Sequence, residues 1–304
     1  MKRNRNKSHW FSALLTALSI SAVLYPALPA YAQEGEKKEE EKKEEPKEQP
    51  IFADKNLEAA VRQQVFAKRQ SDEPIYASDV KTVSTIKGQG LGIVSLAGLE
   101  HCKALASLEL ADNRISDISP IKGLTRIQLL DLSNNEIEDI SAVATLEGLQ
   151  YLELSDNKVK SLDAVKSLER LSSLYVSQNS VSDISPVLQL KKLSSLYLDH
   201  NDIEDITGIG ALDRVGSFGL RGNRIKDLTP LQGARPGSFL FLEDNQITDL
   251  APLIAMCKQD LEGEKRFAPY LQIYLRGNPL RSEAAKAQLR EMKELKLRVK
   301  DMWN

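Results

Sequence analysis

The stretch LASLELADNRISDI, running from Leu105 to Ile118, decides the fold. It reads L-x-x-L-x-L-x-x-N-x-I-x-D-I, and copies of it follow without interruption. Its asparagine recurs at Asn113, Asn135, Asn157, Asn179, Asn201, Asn223 and Asn245, at one constant interval, and again at Asn278 after a longer one. Six equal intervals in succession mark a chain built of stacked repeats. Within each copy, Leu108-x-Leu110 and its counterparts alternate with period two, as a short strand with one buried face does. Strands that recur at this interval, with one return segment between them, must be parallel neighbours. The return is too short for a full helix. Its D-I-S-P pattern (Asp117 to Pro120, Asp183 to Pro186) predicts turns or 3₁₀ pieces. The strand side packs more closely along the stack, so the sheet is expected on the concave face.

The asparagine column is expected to satisfy backbone groups of its own and adjacent coils. The repeated aspartates (Asp117, Asp139, Asp183, Asp205, Asp227, Asp249) are expected to cap the convex turns. An open stack needs both ends covered. Asp54 can start a helix over about Lys55–Lys68, with Leu57, Val61 and Val65 on one face, and residues 80–99 read as an irregular entry repeat. At the far end a helix over about Glu283–Leu295 is predicted, followed by a closing strand at Leu297 and Val299. The longer interval before Asn278 places an insertion around Met256–Pro269.

The pattern resembles the internalin-type bacterial leucine-rich repeat. The resemblance rests on the 22-residue period and the N-x-I-x-D-I-x-P-L/I tail (Asn113 to Ile121, Asn223 to Leu231, Asn245 to Leu253), and covers roughly 51–280. It implies an α/β fold: a right-handed solenoid with a parallel sheet on the concave face, a 3₁₀ and turn convex side, and helical caps at both ends. It also implies a surface or secreted protein that binds partner proteins through the concave sheet. No Leu-Pro-x-Thr-Gly sorting signal or wall-binding module follows the repeats, so wall anchoring and cell invasion are not expected to carry over.

Residues 1–32 read as an export signal. Lys2, Arg3, Arg5 and Lys7 precede the apolar run Trp10–Leu24, and Ala30-Tyr31-Ala32 supplies a cleavage site before Gln33. The apolar run is shorter than the ~20 residues of a spanning helix. Removing these four cations from a chain of net charge −2 leaves −6, which argues against nucleic acid as a partner. Residues 33–50, Glu/Lys-rich and without a buried face, read as a disordered linker. The expected divisions are then 51–99 for the helical cap and entry repeat, 100–280 for the repeats, and 281–304 for the C-terminal cap. A secreted or periplasmic monomer with no stable membrane insertion is expected.

Alternation also names the outward-facing side chains. Along the stack the central column reads Glu109, Asp131, Glu153, Tyr175, Tyr197, Gly219, Phe241, Tyr274. The preceding column carries Tyr151 and Phe239, and the following column runs from Ala111 to Arg276. Six aromatics (Tyr151, Tyr175, Tyr197, Phe239, Phe241, Tyr274) on one wetted face stand out in a chain that is 6% aromatic, and such rings suit binding hot spots. Glu109, Asp131 and Glu153 could steer a basic partner. The same acidic strip is also what an ordinary solvated surface looks like.

Nothing points to catalysis. Of the three histidines, His9 leaves with the signal, and His101 and His200 lie about four repeats apart. No G-x-S-x-G, H-E-x-x-H or C-x-x-C occurs, and Gly88-x-Gly90-x-Gly92 has neither dinucleotide nor phosphate-loop spacing. Cys102 and Cys257 fall about seven repeats apart, roughly 30 Å at the strand spacing, beyond the ~7 Å reach of a disulfide. No metal, cofactor or enzyme activity is expected. The function read from the sequence is recognition of a protein or cell-surface polymer. The alternative is a structural envelope scaffold without a specific ligand.

Overall fold

Each predicted alternation becomes a strand of three residues. The computed structural model describes residues 48–300; the export signal and nearly all of the Glu/Lys-rich stretch lie outside the described residues. An initial helix α1 (Lys55–Arg62) precedes β1 (Thr85–Lys87), β2 (Ser107–Glu109), β3 (Leu129–Asp131), β4 (Tyr151–Glu153), β5 (Ser173–Tyr175), β6 (Ser195–Tyr197), β7 (Ser217–Gly219) and β8 (Phe239–Phe241). Helix α2 (Ala251–Glu262), β9 (Gln272–Tyr274), α3 (Glu283–Glu294) and β10 (Arg298–Lys300) complete the order. The strands form one sheet in sequence order. All are parallel, with Ser107 opposite Leu129 and Leu129 opposite Tyr151, and so on along the stack. Between Phe239 and Gln272 the same register holds, so the extra residues are absorbed outside the sheet. This is the stack of parallel coils expected from the periodicity.

The interior is filled by the repeated aliphatic positions. Leu105, Leu108, Leu110, Ile115 and Ile121 of one coil are fully buried, as are their equivalents in the next. Each such side chain removed from water contributes about 1.5–3 kcal/mol. The convex side is a row of 3₁₀ turns, among them Ser119–Ile121, Ser141–Thr145 and Ser185–Gln189. Each aspartate of the repeated column accepts the backbone N–H two residues on, as in Ser119 to Asp117, Ser185 to Asp183 and Thr229 to Asp227, all at 2.8 Å. Proline then occupies the first turn at 120, 186 and 230, where its missing N–H is harmless.

The asparagines tie coil to coil. Asn135 Oδ1 accepts the N–H of Ile115 in the preceding coil at 2.9 Å, and its Nδ2 donates to Leu110, Leu132 and Ser133 carbonyls at 3.0–3.1 Å. Asn113 does the same with Ile93 and Gly88. Asn278 does it with Ile247 and Leu242 despite the longer interval. The residue before each asparagine takes a left-handed backbone: Asp112, Asn134, Asp156, Gln178, His200, Gly222, Asp244 and Gly277, with φ between 50° and 82°. Glycine, asparagine, aspartate and histidine accept that conformation more readily than other residues; Gln178 is held in it by the ladder on either side.

The ends depart from expectation in detail. Asp54 caps α1 by accepting from Asn56 and Leu57, and its second oxygen accepts from Val94 and Ser95. Burial opposes ionisation there, but these four N–H donors outweigh it and hold the carboxyl below its ordinary range. The helix stops at Arg62 rather than Lys68. Val65 turns into an extended conformation (φ −96°, ψ 94°) to stay buried, which leaves Phe66 87% exposed in a 3₁₀ turn. The insertion begins earlier than its sequence suggested: α2 starts at Ala251, in the place of the usual 3₁₀ return, with Pro252 in its first turn. Asp260 then accepts from Arg266, Phe267 and Ala268 and steers the chain back to β9. Ser282 caps α3 through Ala285 at 3.0 Å. Cys102 and Cys257 are free and buried, and burial pushes both thiols up to about 12.

Replacing Asn135 by Ala orphans the buried Ile115 N–H and takes one of two donors from the Leu110, Leu132 and Ser133 carbonyls, which keep their bonds to Asn113, Asn157 and the Asp112 N–H. A loss of about 1–3 kcal/mol is expected, read as a lower urea midpoint with an unchanged m-value.

Candidate binding surface

The concave face is built by register alone. Strand pairing puts Tyr151 opposite Ser173, Glu153 opposite Tyr175, and Tyr175 opposite Tyr197, so side chains of one column stand side by side. The six aromatics named from the sequence are all half-buried, and they form one connected ribbon. Tyr151 and Tyr175 have ring centroids 5.3 Å apart, and Tyr175 stacks on Tyr197 at 5.2 Å. Tyr197 reaches Phe241 at 6.2 Å, Phe241 stacks on Phe239 at 5.6 Å, and on Tyr274 at 4.8 Å. Such contacts pre-set the rings in place and stabilise by about 0.5–1.5 kcal/mol each.

The ribbon crosses one strand that carries no ring. At Gly219 of β7, an added Cβ would lie 2.6 Å from Tyr197 Cδ1 and closer still to the Asp199 carboxylate. The absence of a side chain therefore lets Tyr197 lean over β7 toward Phe241. Asp199 lies in the same dip, accepting from Arg221 N at 2.8 Å and Ser177 Oγ at 3.3 Å. Burial raises the Asp199 carboxyl against the lowering effect of those donors. Next to it, burial also raises Glu243, whose Oε2 is buried without a hydrogen-bond partner. Arg221, Glu243, Asp244 and Arg276 surround a shallow depression of about 340 Å³, and Arg221 pairs with Asp244 at 3.1 Å.

The acidic strip divides in two. Glu109 is paired with Lys87 of the entry strand at 3.0 Å, so part of its charge is neutralised. Asp131 accepts the N–H and hydroxyl of Ser133, and Glu153 accepts the N–H of Ser155. Burial, joined by the charges of Asp131 and Asp156, raises the Glu153 carboxyl against its bonds to Ser155. Beside it, burial and then the Glu153 charge push the Tyr151 phenol up to about 12, so that hydroxyl stays a donor. Lys87 was missed in the sequence because the entry repeat lacks the periodic frame; its place directly before Glu109 in the column was the available signal. Ala111, read as outward-facing, is buried at 8% exposure, because the chain turns into the asparagine corner there.

Among the described residues, no group of three or more His, Cys, Asp or Glu is placed to hold a metal, and no helix is long and apolar enough to cross a membrane. His101 and His200 remain in separate coils. What the face offers is a relief of rings and partly desolvated carboxylates.

An open parallel ribbon of short strands, backed by 3₁₀ turns and an asparagine ladder, defines a leucine-rich-repeat protein. Family models described as leucine rich repeat match residues 103–159 and 126–181, and one described as two copies of the repeat matches 169–213. Internalin C2 from Listeria monocytogenes is 30% identical with a TM-score of 0.64, over 67% of this chain and 89% of that one. The chain belongs to the internalin-type leucine-rich-repeat family. A leucine-rich-repeat protein of Leptospira interrogans shares the fold at 20% identity and TM-score 0.61, over 74% of this chain and 62% of that one. So does a plant peptide hormone receptor in complex with RGF2, at 22% identity and TM-score 0.51, over 60% and 30%. No curated protein matches the chain.

Substituting Gly219 by Val drives a side chain into Tyr197 and Asp199 and should break the ribbon at β7. Near-ultraviolet circular dichroism of the tyrosines is expected to change, with a stability loss of about 1–3 kcal/mol and an unchanged far-ultraviolet spectrum.

Proposed function

We propose that this protein is an exported recognition module that holds a partner protein against its concave sheet. The observation that carries the reading is the connected row of half-buried rings on the solvent side of the sheet. Rings fixed by one another lose little rotamer freedom on docking, and they bury a large area per residue. Tyr175, Tyr197 and Phe241 would be the central anchors, with Tyr151, Phe239 and Tyr274 beside them. Asp199 and Glu243 are acceptors that a partner's donors can satisfy. Asp131 and Glu153 would bias approach toward a basic partner, and Glu109 less so because Lys87 shares its charge. The fold's use in a plant receptor held in complex with RGF2 is in keeping with a protein or peptide ligand. The chemistry assigned to the surface is binding, without a catalytic step.

Export belongs to the same reading. The segment 1–32 would direct the chain to the periplasm or the medium, and 33–50 would serve as a spacer ahead of the folded repeats. Mass spectrometry of the protein recovered from a secreting host should show a chain beginning at Gln33; an intact Met1 in the soluble exported fraction would contradict it.

The decisive variant is Tyr175→Ala with Tyr197→Ala. Anchors of this kind contribute about 2 kcal/mol or more each, so capture of the partner from envelope or medium extract should fall by about a hundredfold or more. Thermal stability should drop by no more than the worth of the three ring contacts these residues make, about 0.5–1.5 kcal/mol each. Undiminished capture with a large stability loss would make these rings packing residues and favour the scaffold reading.

A further inference from the structure

Two flanks join the strands to the return turns, and their charges are arranged differently. On the flank that leaves the strand, four cations bond to the carboxylate at the same position of the preceding coil. Lys158 meets Glu136 at 3.1 Å, Lys160 meets Glu138 at 2.5 Å, Arg224 meets Asp202 at 2.5 Å and Lys226 meets Glu204 at 2.8 Å. On the flank that enters the strand, Arg126, Arg170, Lys192 and Arg214 hold one register position, just ahead of the strand, and all are exposed. Arg170, Lys192 and Arg214 stand on successive coils, and none of the four has an ion pair among the described residues.

These three cations line one shallow cleft of about 470 Å³ with Gln150 and Ser172. The next cleft, about 260 Å³, is lined by Asp213, Arg235, Gly237, Arg266 and Phe267. Asp213 is the one carboxylate in either lining, and Arg266 is engaged by Glu264 at 2.9 Å. Glu147 and Glu169 sit one residue earlier than the cation position and line neither cleft. The floor is already satisfied: Ser172 Oγ donates to the Gln150 carbonyl at 3.0 Å and Ser194 Oγ to the Ser172 carbonyl at 2.9 Å. The guanidinium and ammonium groups are left directed at solvent.

A row of like charges on neighbouring coils repels itself by up to about 1 kcal/mol per pair in water, in a chain whose net charge is −2. The opposite flank relieves the same crowding by pairing. We propose that the entering flank is a docking surface for a linear acidic polysaccharide, with Arg170, Lys192 and Arg214 each meeting one anionic group. Coils repeat every ~4.8 Å, which is about the length of one sugar ring in an extended glycan. A polymer with one carboxylate or sulfate per sugar therefore lies in step with the stack, and Gln150 supplies a neutral hydrogen-bonding group for ring hydroxyls. Single-stranded nucleic acid is disfavoured, because it calls for aromatic platforms among the cations, and the one ring here, Phe267, is buried. The surface is separate from the concave aromatics and does not rest on the reading given to them.

The test uses the full chain and a size-defined heparin oligosaccharide, with binding measured by calorimetry at about 0.15 M salt. The triple variant Arg170→Gln, Lys192→Gln, Arg214→Gln should bind about tenfold or more weakly, with a shallower salt dependence. The variant Lys158→Gln, Arg224→Gln, Lys226→Gln changes the net charge equally on the other flank and should stay within about twofold. Single-stranded DNA of matched charge should bind less tightly than the glycan, and Tyr175→Ala with Tyr197→Ala should leave glycan binding unchanged. Equal losses in both triple variants, no glycan binding by the unaltered chain, or DNA binding as tight as glycan binding would each overturn the proposal.

Discussion

The structure depends on one side-chain amide per coil. A stack of short strands leaves backbone N–H and C=O groups at every corner where the chain leaves the sheet, and a buried unpaired group costs about 1–3 kcal/mol. Asparagine solves this because its amide is donor and acceptor at once. The oxygen of Asn201 takes the N–H of Val181 one coil back, and its nitrogen serves carbonyls of both coils. A leucine would fill the space and strand the polar groups. An aspartate would satisfy the N–H and repel the carbonyls. The regular spacing of the sequence is therefore a record of where the backbone needs an amide.

From that ladder the surface follows. Identical corners make identical coils, identical coils hold their strands in a common register, and register lines up the outward side chains into columns. Tyrosines at the same position of successive coils then stack without any bonding of their own to position them. The same geometry brings oppositely charged residues together on one flank and leaves like charges side by side on the other. What differs between columns is chemistry; the scaffold treats them alike.

Much of this was legible from the chain. The period fixed the strand positions, and alternation named all six rings that meet on the sheet. The aspartate caps and the isolation of the two cysteines followed from spacing. Other features were hidden because they arise from contacts outside the repeat's own logic. The left-handed corner at Gln178 carries no local signal, since glutamine does not favour that conformation by itself. Gly219 looked like a gap in the central column, whereas it is what allows Tyr197 to reach Phe241. The insertion began earlier than expected because Leu250-Ala-Pro-Leu253 imitates the ordinary return until the helix simply continues. Phe66 became exposed because Val65 gave up helical geometry to remain in the core.

Because the bonds that hold a coil run to the coils before and after it, the structure is modular in units of one repeat. Excising one unit, such as 173–194, would bring β4 against β6 with the corner amides still matched, shortening the aromatic row by a single ring. A family built this way can lengthen or trim its reading surface in whole steps, each step keeping the fold and changing only the span of what it grips.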